Sequence, residues 1–134
     1  MLFRSVSQSR YPLMTMPLKE TGKVYKINRQ EIVLYPIAKL VSELEKVGYP
    51  RDAQTIRKWE NSGVTPPALF RIGGKRLYSK EQIEAYCRVA KECNIRQGYS
   101  IAMTDFSERI WEELTKINQQ YLNKNYGSEE VQES

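Results

Sequence analysis

Apolar and polar positions switch between two periods along the chain, and the switches mark its elements. In "KVYKINRQEIVLY" (Lys23–Tyr35), β-branched and aromatic residues flank Asn28-Arg29, which predicts a small hairpin. Pro36 then suits the first turn of a helix. Ile37, Leu40, Val41, Leu44 and Val47 follow at spacings of three, one, three and three, a single stripe that Gly48 ends. After the turn "GYPRD", Asp52 is placed to cap a second helix from Ala53 to Ser62, stopped by Gly63 and Pro66-Pro67. Period two returns in "ALFRIGGKRLY", which predicts a hairpin about Gly73-Gly74. A two-residue loop sets Ile72 opposite Lys75, Arg71 opposite Arg76 and Phe70 opposite Leu77, with Phe70 and Leu77 facing a core. Ser79 and Gln82 form a capping box for a third helix, whose apolar face is Ile83, Tyr86, Cys87 and Ala90.

The chain breaks at "IRQGYS", and a last helix is predicted from about Asp105 to Lys124 within the segment 99–124. Its stripe of Ile110, Leu114, Ile117 and Tyr121 recurs at four, three, four, with Met103 in phase and Ser107 interrupting. That spacing suits a dimer seam, and equally a helix folded back on its own domain. Residues 1–22 show no clear period and read as a flexible arm. Residues 125–134 are acidic, contain Gly and Ser, and are expected to be disordered. The folded domain is thus expected over 23–98.

Charge changes the picture of the second helix. Between Arg51 and Lys80 lie seven basic residues against two acidic ones, and the remainder balances at fourteen against fourteen. The net charge of +5 is therefore a local patch, the footprint of a polyanion partner. The inward face of the second helix is Ala53, Ile56 and Trp59. Its outward stripe is Gln54, Arg57, Lys58 and Asn61, with Glu60 off its centre. Surface helices usually mix signs; two cations and two amides can instead reach phosphates and base edges. Arg71 and Arg76, like charges directly opposite, destabilise a hairpin unless an anion sits between them.

The order helix, turn, short basic helix, two-stranded wing, helix is that of a winged helix-turn-helix. The fold class expected is mainly α with a small β component, plus a C-terminal helix. "AQTIRKWENSGVTPP" resembles the recognition segment of the MerR family of regulators, and "RIGGKRLYSKEQIEAY" is similar to the wing and following helix of that family and of phage excisionase-type proteins. The resemblance spans about Tyr35 to Asn94. It implies that Thr55, Arg57 and Lys58 face DNA, and that Arg71, Lys75 and Arg76 are the wing's phosphate contacts. The first helix and its turn are longer than in that family. No effector domain or cysteine-rich metal site follows the last helix, so no small-molecule effector is expected.

These readings converge on a sequence-preferring double-stranded DNA binder acting as a homodimer, either a transcriptional regulator or an accessory factor of phage or plasmid excision or segregation. Gln54, Thr55, Arg57, Lys58 and Asn61 would read or flank bases, and Ile110, Leu114, Ile117 and Tyr121 would pair the two copies. The competing expectation is a protein-interaction module that uses the last helix and the basic patch. The chain has no histidine, which excludes His-activated nucleophiles and His-containing zinc sites. Cys87 and Cys93 fall roughly 120° apart on one helix, unable to bridge or chelate locally. With no phosphate-cradling loop either, neither an enzyme nor a cofactor or metal is expected. No stretch reaches about eighteen apolar residues and the N-terminus lacks a secretory run, so no membrane contact and a cytoplasmic location are expected.

Overall fold

A computed structural model describes residues 21–95, 100–124 and 131–133. It is a mixed α and β protein in which, among the described residues, four helices pack beside an antiparallel sheet. The elements are β1 (Lys23–Ile27), β2 (Gln30–Pro36), α1 (Ile37–Lys46), α2 (Ala53–Ser62), β3 (Phe70–Ile72), β4 (Lys75–Tyr78), α3 (Lys80–Cys93), α4 (Ser100–Asn123) and β5 (Val131–Glu133). The strand order is β3-β4-β2-β1-β5. The β component is larger than the two separate hairpins expected, because Tyr35 and Pro36 of β2 pair with Tyr78 and Leu77 of β4 and join them edge to edge.

Local chemistry explains most boundaries. Asn28 and Arg29 both take positive φ, which closes β1 onto β2 in two residues. Pro36 ends β2 and is also the N-cap of α1; its fixed φ of −72° serves both, and its missing N–H is one a helix start leaves unbonded anyway. The Asp52 carboxylate accepts the Thr55 N–H at 2.8 Å, and Gly63 in the left-handed region closes α2. At α3, Ser79 accepts from the Gln82 N–H while Gln82 accepts from the Ser79 N–H.

Two apolar clusters form the core. One gathers Leu40, Leu44, Ile56, Trp59, Tyr86 and Val89 with Phe106, Ile110 and Leu114 of α4. The other packs the inner face of the sheet, Tyr25, Ile27, Leu34, Phe70 and Leu77, against Tyr121. Ile117 touches both.

This arrangement corrects the dimer seam. Ile110, Leu114 and Tyr121 are buried in the chain's own core, at 0%, 4% and 8% exposure, so they are not available to a second copy. Polar contacts lock α4 in that position. Ser107, the residue that interrupts the stripe, donates to the Val64 carbonyl at 2.7 Å, and Trp111 Nε1 donates to the Gly63 carbonyl at 2.8 Å. Gln82 reaches Asn118 at 2.8 Å, and Arg88 pairs with Glu113 at 2.7 Å. The helix begins at Ser100, more than a turn before the expected start.

Three residues of the tail depart from expectation, and 125–130 and 134 lie outside the described residues. Residues 131–133 form β5 against β1, pairing Ile27 with Val131 and Tyr25 with Glu133, where disorder was expected throughout 125–134. The N-terminal arm falls outside the described residues up to position 20. Among the described residues, no helix is long and apolar enough to cross a membrane.

Candidate nucleic-acid interface

The basic window folds into α2 and the β3–β4 hairpin, and these two elements are tied together by one buried carboxylate. The hairpin register pairs Phe70 with Leu77, Arg71 with Arg76 and Ile72 with Lys75, as the alternation predicts. Gly73 and Gly74 both take positive φ at the tip, which L side chains rarely tolerate. Leu77 and Phe70 turn into the core, and Arg71 and Arg76 share the opposite face.

The anion that stabilises one of those two arginines is part of the chain. Glu60 lies 6% exposed on the inner side of α2. Its Oε1 accepts from Arg76 Nε at 2.8 Å and from the Ala68 N–H at 3.1 Å, and its Oε2 accepts the Tyr78 hydroxyl at 2.6 Å. Arg76 also donates to Asn61 Oδ1 at 3.0 Å. The reading of Arg76 as a phosphate contact is therefore corrected: its side chain is only 13% exposed and its charge is already paired. Burial, followed by the neighbouring carboxylate, pushes the Tyr78 phenol far above its ordinary pKa, so it serves as a permanent donor to Glu60. Reasoning from sequence missed Glu60 because it was weighed by its sign; four residues after Ile56, helical spacing puts it on the inward face.

The remaining predicted residues divide clearly. Gln54, Arg57 and Lys58 are exposed along the outer side of α2, and Arg71 and Lys75 are exposed on the hairpin. Asn61 is exposed but holds Arg76. Thr55 is half-buried and engaged with the cap, where its hydroxyl and N–H hold the Asp52 carboxyl below the usual range. Arg51, counted in the basic window, is turned inward. It donates to the Ile95 carbonyl at 3.0 Å and lies over the Trp59 ring at 6.0 Å, and desolvation lowers its pKa. Among the described residues, Arg57, Lys58, Arg71, Lys75 and Lys80 are the exposed cations of this window that form no ion pair.

Arg57 meets the hairpin tip across a cleft of about 450 Å3, whose lining also includes Gly74 and Lys75. Helix and hairpin therefore present cations toward one shared space. The arrangement offers charge and hydrogen-bond donors. Burial and the carboxylates of Glu43 and Glu84 push the Cys87 thiol up to about 11, and burial raises Cys93 as well. Both are thiols at neutral pH and poor nucleophiles. Among the described residues, no cluster of three or more potential metal ligands occurs. No protein-family model, curated protein or solved structure matches the chain.

Proposed function

We propose that the protein binds double-stranded DNA through α2 and the β3–β4 hairpin, acting as a winged helix-turn-helix regulator or accessory DNA-binding factor. The observation that carries this is the unit made by Glu60. A buried ion pair spans α2 and β4, so the exposed cations Arg57, Lys58, Arg71 and Lys75 are held on one body with their charge directed outward. A merely solvated basic surface needs no such internal brace. In this reading α1 and α2 are the helix-turn-helix and β3–β4 is the wing. Gln54, Arg57 and Lys58 enter the major groove, where amide and cationic side chains discriminate base edges. Arg71 and Lys75 hold the adjacent phosphates, which fix position without reading sequence.

The order of elements and the likeness to MerR-type and excisionase-type segments support this reading. Pairing of two copies through the apolar stripe of α4 is not carried forward, because that stripe is internal. The test is selection of bound sites from a random duplex library, followed by affinity measured across salt concentrations. With about four to five phosphates neutralised per copy, log K should fall against log salt with a slope of roughly −4 per copy. Absence of duplex binding at low salt would overturn the proposal. The selected sequences also report, through half-site spacing, how many copies occupy a site.

A further inference from the structure

Asn61 stands on the exposed stripe of α2, yet one end of its amide is already engaged inside the protein. Arg76 donates to its Oδ1 at 3.0 Å, and the same guanidinium donates from Nε to Glu60 at 2.8 Å. Glu60 is itself held from three sides, since it also accepts the Ala68 N–H and the Tyr78 hydroxyl, and its side chain is 1% exposed. That grip keeps the guanidinium beside Asn61. Chemistry then fixes which way the amide faces. Arginine has donors and no acceptor, so only the carbonyl oxygen of Asn61 can meet it. A flipped amide would set donor against donor. The Asn61 NH2 group is therefore the end left for a partner outside the chain.

We infer that Asn61 is a specificity-determining residue that reads guanine as a donor only, with Arg76 as the positioning residue that holds it so. The inference rests on the proposed entry of α2 into the major groove. An unconstrained asparagine pairs with adenine by donating to N7 and accepting from the N6 amino group. Here the acceptor is consumed within the protein, and the adenine amino group would face a second donor. Cytosine also presents an amino group, whereas guanine presents N7 and O6, two acceptors side by side. A donor-only group selects guanine. Asn61 shares its stripe with Arg57 and Lys58, which lie four and three residues before it, are exposed, and have donors only. The exposed stripe from Arg57 to Asn61 thus offers donors throughout. Gln54, about 10 Å away along the helix axis, is the member whose type can both donate to and accept from adenine.

The test is site selection from a random duplex library with the unaltered full chain and with Asn61→Ala, Asn61→Asp and Gln54→Ala, each shown by thermal melting to be folded. Asn61→Ala should release the preference at one position of the site, and the unaltered chain should require guanine there. In direct titration, changing that guanine to adenine should weaken binding of the unaltered chain about tenfold, and of Asn61→Ala by under about twofold. Asn61→Asp keeps an acceptor for Arg76 but loses the donors. Its preference should leave guanine for a base with an exposed amino group, cytosine or adenine. Gln54→Ala should alter a different position. A residue that merely braced Arg76 would weaken all sequences alike and shift no position. The inference is overturned if the unaltered chain selects any base other than guanine at the Asn61 position, if Asn61→Ala shifts no position, or if Asn61→Asp still selects guanine. Each of those outcomes leaves duplex binding standing; absence of duplex binding at low salt overturns both.

Discussion

Two hairpins of the same construction have been put to opposite uses in this molecule. Both turn in two residues with positive φ, 51° and 70° at Asn28-Arg29 and 59° and 80° at Gly73-Gly74. Both belong to one sheet. The outer face of the first sets Val24 against Val33, a pair that is compatible but exposed at 38% and 44%. The face of the second that meets α2 sets Arg71 against Arg76, a pair that repels. The first hairpin carries its strain in the turn, since an arginine in the left-handed region costs about 1–2 kcal/mol. The second has glycines in its turn and carries its strain in the strands, where Glu60 of a neighbouring helix neutralises one arginine. A strand pair can thus hold an unfavourable pairing, provided that another element supplies the missing charge on the same face.

The largest test of that contrast removes the charge partner. Arg76→Ala leaves Glu60 buried with no cation and should cost about 3 kcal/mol, seen as a lower denaturant midpoint. Val24→Ala, on the first hairpin, should stay within about 0.5–1 kcal/mol because its site is largely open. Equal losses would break the distinction between the two faces. Turn strain gives a smaller effect with opposite signs. Arg29→Gly should stabilise by about 1 kcal/mol, and Gly74→Ala should destabilise by a similar amount. If both move stability in the same direction, the shared turn geometry is wrong. The smallest effect is on binding. Lys75→Ala should weaken duplex affinity about threefold and reduce the salt slope by roughly one, equally for all sequences. Lys26→Ala on the exposed side of β1 should leave duplex affinity unaltered.

What could be read from the sequence depended on whether the signal was local. The register of β3–β4 follows from a two-residue loop and strict alternation, and both are visible in "FRIGGKRL". The limits of α2 follow from Asp52 and Gly63, which act within a turn of their own positions. Glu60 and Arg76 are sixteen residues apart, and no periodicity announces that they meet. The stripe Ile110, Leu114, Ile117 and Tyr121 has the same spacing whether it faces its own core or another copy. Its direction is decided by contacts from elsewhere in the chain, such as Ser107 with Val64 and Trp111 with Gly63. The Ser107 interruption was a usable signal, because a hydroxyl within an apolar stripe requires a buried acceptor. β5 left no mark, since three residues of an acidic tail have neither strand composition nor period.

The join between the hairpins gives the sheet a perforated line. β2 and β4 meet through two residue pairs, and one of them contains Pro36, which has no N–H to give. Each hairpin holds together through more pairs than connect it to the other. Under load the sheet should tear along this line before either hairpin unravels. Amide exchange should then fall into two groups, one for each side of the tear.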